Sequence, residues 1–191
     1  MTTVFLDIDT QFDFVNPSGA LYVPGAESIL PAVARLNRWA GQTGTPLIST
    51  TDAHAENDPE FRLWPPHCVA GTLGQRKPDA TLVGQIVLTK QSVDCFTIPE
   101  LPGLLDSLGA AHCVVYGVAT EICVQHALFG LLRTGRSVEL VTDAVRSLNE
   151  DAAAQMIASF TAAGGRLTTV DYAANSGGMG TSLASRQSRS S

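Results

Sequence analysis

Reactive side chains follow four apolar, strand-like runs of the sequence at the points where those runs end. In chain order they are Asp9, Asp52 with His54, Lys90, and Cys123. Because the carboxyl ends of parallel strands meet at one edge of a sheet, an acid, a metal-ligand pair, a cation and a thiol would lie close together there. This set predicts covalent catalysis by a thiol beside a divalent metal ion.

Cys123 lies near the start of a helix that the sequence predicts over residues 120–132. The free N–H groups and partial positive charge of a helix start can lower the pKa of a thiol and hold an oxyanion. Asp9 would accept the thiol proton, and Lys90 would stabilise both anions. The alternative interpretation makes the cysteine a small buried hydrophobe, the aspartate a turn cap and the lysine an exposed charge.

A second candidate group consists of Asp52, His54 and His67. Carboxylate and imidazole ligands suit zinc, iron or manganese. The alternative is a polar loop whose histidines are solvated or hydrogen-bonded. The same loop offers further carboxylates at Glu56, Asp58 and Glu60.

The elements that must position these residues alternate along the chain. Strand-like runs at 4–8, 46–50, 86–89, 112–117, 137–142 and 166–170 accompany helical patterns at 26–40, 120–132 and 150–163. This alternation predicts an α/β fold with a parallel sheet covered by helices on both faces. Residues 51–80 lack periodicity and predict a long functional loop. The Gly/Ser-rich stretch from residue 175 predicts a disordered tail.

Composition narrows the class of protein. The chain has 191 residues, is 45% hydrophobic and carries a formal net charge of −6, which predicts one folded domain. It shows no Lys/Arg stripe, no apolar run of ~18 residues and no signal-peptide pattern, so we expect no nucleic-acid partner, no membrane partner and a cytoplasmic location. Of the four cysteines, Cys68, Cys95 and Cys113 are expected to be buried free thiols.

Six motifs occur between residues 3 and 170 in the order found in nicotinamidases of the isochorismatase-like cysteine hydrolase superfamily, and together they resemble that family. They are Asp9-x-Gln11-x-Asp13-Phe14, Asp52-x-His54, Trp64-Pro65-Pro66-His67-Cys68, Gly71-Thr72, Lys90, and Gly117-Val118-Ala119-Thr120-Glu121-Ile122-Cys123. The resemblance implies a single isochorismatase-like hydrolase domain over residues 1–174, followed by the tail at 175–191. It implies a three-layer α/β/α, Rossmann-like architecture with six parallel strands.

The resemblance also assigns roles to single residues. It implies a catalytic triad of Asp9, Lys90 and Cys123, and an oxyanion hole made by the backbone N–H groups of Ala119 and Cys123. It implies a cis peptide bond between Val118 and Ala119.

Substrate and metal ligands are implied in the same way. Phe14 and Trp64 match an aromatic pair that sandwiches a pyridine ring, beside Val118 and Ala119; the alternative for the aromatic residues is loop anchoring. The implied metal ligands are Asp52, His54, Glu60 and His67. Many members of the family use one aspartate and three histidines, so Glu60 departs from that pattern. We expect one divalent ion, zinc first, with manganese or iron as alternatives.

The resemblance implies an amidohydrolase that converts nicotinamide to nicotinate and ammonia through a cysteine thioester. One alternative is hydrolysis of another small amide or carbamoyl compound, and a second is a non-catalytic metal- or ligand-binding module. Isochorismatase activity is disfavoured because vinyl-ether hydrolysis needs neither a thiol nor a metal. Phe96 and residues 99–102 lie where related enzymes make subunit contacts, so we expect a homo-oligomer.

Overall fold

Six strands form one sheet in which every neighbouring pair is parallel. They are β1 (Thr2–Ile8), β2 (Leu47–Asp52), β3 (Ile86–Lys90), β4 (Ala110–Val118), β5 (Ser137–Arg146) and β6 (Arg166–Thr168). The computed structural model describes residues 2–176, and the strand order is β3-β2-β1-β4-β5-β6. The direction of winding reverses between β1 and β4, which is where ligands bind in sheets of this kind.

Helices cover both faces of the sheet. They are α1 (Phe12–Val15), α2 (Leu30–Thr43), α3 (Glu100–Ser107), α4 (Gln125–Arg133), α5 (Glu150–Ala162) and α6 (Val170–Ser176). Residues of α2 and α6 pack with Phe5 and Tyr116 in one buried cluster. Residues of α3, α4 and α5 pack with Leu6 and Ile8 in the other. Adjacent residues of β1 therefore enter opposite cores, and the predicted three-layer α/β/α fold with a six-stranded parallel sheet is confirmed.

Several element boundaries differ from those predicted. Helix α3 was not predicted, because Pro102 and Gly103 resemble a turn, although a proline is tolerated in the first turn of a helix. The first turn of the predicted helix 26–40 is a 3₁₀ turn, Ala26–Ile29, and α2 begins after it. The last strand ends at Thr168 rather than at residue 170. Phe96 is partly buried against the core of its own chain, and its predicted subunit contact stays a prediction.

The structure also shows how the predicted long loop is built and where the last helix ends before the predicted tail. Residues 53–85 contain two 3₁₀ turns, Pro59–Arg62 and Asp79–Thr81. The tail was predicted to begin at residue 175, but Asn175 and Ser176 lie in α6, and residues 177–191 lie outside the described part of the chain. Within residues 2–176, no helix has the length and apolar character needed to cross a membrane.

Gly117 lets β1 and β4 approach each other near the site. Its φ is +122°, a value that disfavours residues with a side chain. A Cβ atom added there would lie 2.0 Å from the carbonyl oxygen of Ile8. Because Asp9 follows β1 and Cys123 follows β4, this close approach sets the distance between the two strand ends.

We expect Gly117→Ala to lower the free energy of unfolding by about 3 kcal/mol or more, since it combines backbone strain with a clash against β1. Urea unfolding would measure the loss. Gly103→Ala is the matched control, because Gly103 lies in α3 and an added Cβ meets nothing within 4 Å. The control should gain roughly 0.5–1 kcal/mol. Equal stability of the two variants would contradict this account.

Candidate active site

Three strand ends bring an acid, a cation and a thiol into contact. Asp9 follows β1, Lys90 is the last residue of β3, and Cys123 lies in the turn after β4. All three residues are buried. The Lys90 Nζ atom is 2.7 Å from Asp9 Oδ2 and 3.9 Å from Cys123 Sγ. The structure therefore groups the predicted triad in one buried cluster.

The backbone and side chain of Asp9 are both fixed. Its φ is +49°, so the chain turns sharply at the end of β1. The Thr50 hydroxyl donates a hydrogen bond of 2.7 Å to Asp9 Oδ1, and the Asp9 N–H donates to the carbonyl oxygen of Thr50. These contacts leave Oδ2 directed at the Lys90 ammonium group.

The thiol lies in a wide turn rather than in the first turn of a regular α-helix. The Val118–Ala119 peptide bond is cis, as the resemblance implies. A π-helical turn, Thr120–Val124, follows it, and the Val124 N–H donates to the Ala119 carbonyl oxygen at 3.1 Å. Helix α4 begins only after this turn. The oxyanion-hole role of the Ala119 and Cys123 N–H groups stays a prediction.

Burial is the largest influence on the pKa of the Cys123 thiol. Sequence reasoning predicted that a helix start and a lysine would lower the pKa of Cys123. In the structure burial raises the pKa of this thiol well above its usual range, Lys90 opposes the shift, and the Asp9 carboxylate adds to it. Burial likewise raises the pKa of Asp9, with Lys90 again opposing. Burial therefore outweighs Lys90 at this thiol, and the predicted lowering of its pKa is wrong.

The predicted metal ligands form an adjacent cluster. Asp52 Oδ2 lies 3.8 Å from His54 Nε2 and 4.0 Å from His67 Nε2. The other ring nitrogens are held from behind, His54 Nδ1 by Asp58 at 3.0 Å and His67 Nδ1 by the Pro65 carbonyl oxygen at 2.8 Å. Such contacts direct Nε2 atoms towards a metal ion.

One orphaned atom supports a metal ion at this cluster. Within the described part of the chain, His54 Nε2 is buried and has no hydrogen-bond partner. A buried polar atom without a partner is costly, and a divalent ion would satisfy it. Two imidazoles and a carboxylate with ligand atoms within 4.8 Å of one another are a donor set that zinc accepts. The residues present therefore fit a divalent ion.

Asp52 connects the two clusters. The Lys90 ammonium donates to Oδ1 of Asp52, and Oδ2 faces the histidines. Burial opposes ionisation of Asp52, but Lys90 and His54 lower its pKa. Although burial opposes its charge, the nearby Asp52 carboxylate and the hydrogen bond to Asp58 raise the pKa of His54 to about 9.

Glu60 lies at the margin of the metal cluster. Its carboxylate groups with His54 and Asp58, and not with the set formed by Asp52 and His67. It also lines the adjoining pocket, and burial raises its pKa while His54 opposes the shift. Its role as a fourth ligand stays a prediction.

Sequence reasoning missed the positioning role of Gln11. This buried side chain accepts from the Asp52 N–H at 2.6 Å and donates to the Asp52 carbonyl oxygen at 2.8 Å. It also donates to the carbonyl oxygen of Gln75 at 2.8 Å. The amide therefore pairs with the main chain of Asp52 and fixes the residue that the two clusters share.

Asp13 holds the main chain of two loops through its carboxylate. Its Oδ2 accepts from the Cys68 N–H at 2.7 Å, and its Oδ1 accepts from the Ala20 N–H at 3.0 Å. Cys68 adjoins His67, so Asp13 holds the main chain beside a predicted metal ligand. Alternate positions 9, 11 and 13 thus reach three different parts of the site, and this spacing is the signal that could have identified Gln11.

A pocket adjoins both clusters. Its volume is about 380 Å³ with its mouth included, which is small for a ligand pocket. All four predicted substrate contacts line it, Phe14, Trp64, Val118 and Ala119. The remaining lining residues are Leu21, Val23, Asp52, Glu60, His67, Val93, Ile122, Cys123 and Leu148. A ligand here would touch the thiol at one side and the metal cluster at another.

Comparison with known proteins identifies relatives of the chain. The isochorismatase domain model matches residues 3–172. A probable inactive nicotinamidase of Arabidopsis thaliana is 26% identical over 155 residues, covering 74% of this chain and 79% of the relative. The nicotinamidase of Escherichia coli is 25% identical over 182 residues, covering 74% and 82%.

Solved structures have the same fold. A pyrazinamidase of Pyrococcus horikoshii in complex with zinc is 27% identical, with a TM-score of 0.83 over 88% of this chain and 99% of that one. PnC1 from L. infantum in complex with nicotinate is 29% identical, with a TM-score of 0.80 over 89% and 93%.

Because burial raises the pKa of the Cys123 thiol well above its usual range, its alkylation by iodoacetamide should accelerate about tenfold per pH unit from pH 6 to 9 without a plateau. Mass spectrometry of the labelled protein would measure the rate. Cys123→Ala is the control and should label very little, since Cys123 lines the pocket and Cys68, Cys95 and Cys113 are buried away from it. A plateau near neutral pH would show a resting thiolate and contradict the assignment.

Proposed function

This chain belongs to the isochorismatase family, and from that membership we propose that it hydrolyses nicotinamide to nicotinate and ammonia. One observation carries the proposal. A buried acid–lysine–thiol cluster opens on a small pocket that also touches an Asp–His–His group. A ligand that places an amide at the thiol and a ring nitrogen at the metal cluster matches both ends of this pocket.

In the first half of the reaction, Cys123 Sγ attacks the amide carbon while Asp9 accepts the thiol proton. The raised pKa of Asp9 suits this role, because burial makes its carboxylate a stronger base. Protonated Asp9 then donates to the amide nitrogen, the C–N bond breaks, and ammonia leaves a thioester on Cys123. The N–H groups of Ala119 and Cys123 would stabilise the oxyanion.

In the second half, Asp9 removes a proton from water, and the resulting hydroxide attacks the thioester carbon. The C–S bond breaks, nicotinic acid leaves, and the proton held by Asp9 returns to the thiolate. Lys90 stays positive throughout, because Asp9, Cys123 and Asp52 hold its pKa well above its usual range against the effect of burial. Its positive charge stabilises whichever of Asp9 and Cys123 is anionic at that stage of the reaction.

In this proposal, the cluster formed by Asp52, His54 and His67 orients the substrate ring. Asp52, His54 and His67, with Glu60 beside them, would hold a divalent ion, for which we propose zinc first and manganese or iron as alternatives. The bound ion would supply an electron-pair acceptor for a pyridine nitrogen. Phe14 and Trp64 line the same pocket and would hold the flat ring. A homo-oligomeric state and a cytoplasmic location stay further proposals.

Two other functions remain as alternatives. The same cluster could hydrolyse another small amide or carbamoyl compound, because the acid–lysine–thiol chemistry is independent of the ring. A non-catalytic binding module is the second, and the relative named as probably inactive illustrates it. A panel of small amides, with ammonia release as the readout, separates the three.

Cys123→Ala should reduce ammonia release from nicotinamide by at least about 10⁴-fold with unchanged folding, because it removes the nucleophile. Asp9→Asn should lose several orders of magnitude, because no base remains. A coupled ammonia assay and circular dichroism would measure rate and fold. Cys68→Ala is the control and should keep most activity, since Cys68 is buried outside the pocket lining. Substantial turnover by Cys123→Ala would refute the covalent mechanism.

Metal content should be one divalent ion per chain by elemental analysis. His67→Ala should lose the ion and raise KM more than it lowers kcat, because the metal positions the ring and not the scissile amide.

Glu60→Gln should weaken zinc binding about tenfold if its carboxylate is a ligand, with exposed Glu56→Gln as the control. Unchanged affinity would leave Glu60 outside the ligand set, and a fully active, metal-free protein would overturn the proposal.

A further inference from the structure

We propose that Glu121 is a positioning residue that ties the nucleophile turn to the β5–α5 loop and so makes Leu148 the wall that selects small, flat amides. The inference rests on the proposed function and names the substrate class of that same site. Glu121 lies in the π-helical turn, two residues before Cys123. Leu148 lies between β5 and α5 and lines the pocket.

A single carboxylate oxygen makes the connection. Glu121 Oε1 accepts hydrogen bonds from the N–H groups of Leu148 at 2.9 Å and Asn149 at 2.7 Å. Asn149 in turn caps α5, because its Oδ1 accepts from the Ala152 N–H at 2.9 Å. The carboxylate thus lies at the N-terminal end of α5, where negative charge is favoured. The loop main chain is therefore fixed relative to the thiol.

The second oxygen of Glu121 shows why an amide would fit this position less well than a carboxylate. Among residues 2–176, Glu121 Oε2 is buried and has no hydrogen-bond partner. A glutamine at this position would keep one acceptor oxygen, but it would place an NH₂ group where no acceptor lies. The site therefore accepts a carboxylate better than its amide, because a buried donor without a partner is costly.

Leu148 forms a fixed wall of the pocket because Glu121 holds its main chain in place. Its side chain is 36% exposed, so it stands at the rim of the pocket rather than in the core. Ile122 and Cys123 line the pocket beside it, and both belong to the turn that Glu121 anchors. A substituent on the ring, or a bulky acyl group, would meet this wall as it approaches the thiol. A small unsubstituted ring would not.

Alkylation of Cys123 tests the wall without requiring activity. The measured quantity is the ratio of rates for iodoacetamide and the bulkier N-phenyl iodoacetamide. Leu148→Ala and Glu121→Ala should each shift this ratio about fivefold or more towards the bulky reagent, and Glu121→Gln should shift it less. In a Leu148→Ala background, Glu121→Ala should add little, since both act through one wall. Exposed Glu150→Ala, next to the loop, is the control and should leave the ratio unchanged.

Two further measurements separate this role from a general loss of structure. Hydrogen exchange of the Leu148 and Asn149 amides should accelerate about tenfold or more in Glu121→Ala, while amides of β1 and β4 keep their protection. The preference for nicotinamide over 5-methylnicotinamide should fall in Leu148→Ala and Glu121→Ala, chiefly through KM. Unchanged amide exchange in Glu121→Ala, or an unchanged alkylation ratio in Leu148→Ala, would overturn the inference. A wild-type chain inactive on every amide would refute the proposed function alone, because alkylation and exchange still report the wall.

Discussion

The buried ammonium group of Lys90 is the interaction on which the rest of the site depends. It contacts carboxylates on both sides, Asp9 at 2.7 Å and Asp52 through Oδ1. Two buried carboxylates so close together would repel each other, and each would pay heavily for leaving water. One shared cation offsets both costs. The acid of the thiol cluster and the carboxylate of the metal cluster are therefore stable only as parts of a single network.

Sheet topology makes this network possible. The order β3-β2-β1 places three strand ends side by side, and the register pairs Asp52 with Lys90 directly. Asp9 follows β1 on the other side of β2, so Lys90 must reach across Asp52 to meet it. Gln11 then fixes the main chain of Asp52 between them. Parallel pairing sets the positions, and the buried amide holds the central strand end in place.

Much of this arrangement can be predicted from the sequence, because it depends on where apolar runs end. The strand ends and the motif order predict Asp9, Asp52, Lys90 and Cys123 as neighbours. Properties that arise from packing cannot be predicted in that way. The pKa of Cys123 depends on how deeply the thiol is buried, and the contact of Asp58 with His54 depends on the path of an irregular loop. Helix α3 was not predicted because proline usually interrupts a helix. Pro102 is tolerated because it lies in the first turn, and the sequence alone did not show where that turn begins.

Burial raises the pKa values of both the thiol and the carboxylate, and this combination suits the proposed reaction better than a resting thiolate would. A proton that moves from Cys123 to Asp9 leaves the net charge of the cluster unchanged, since one anion replaces another beside the same ammonium group. No new charge has to be desolvated during the step. The negative charge moves by a few ångströms within the electrostatic field of Lys90. Because folding has already fixed the position of Lys90, little further reorganisation of the site is needed during the step. In the proposed reaction, the cation that makes the two carboxylates compatible with burial would therefore also stabilise the Cys123 thiolate as it forms.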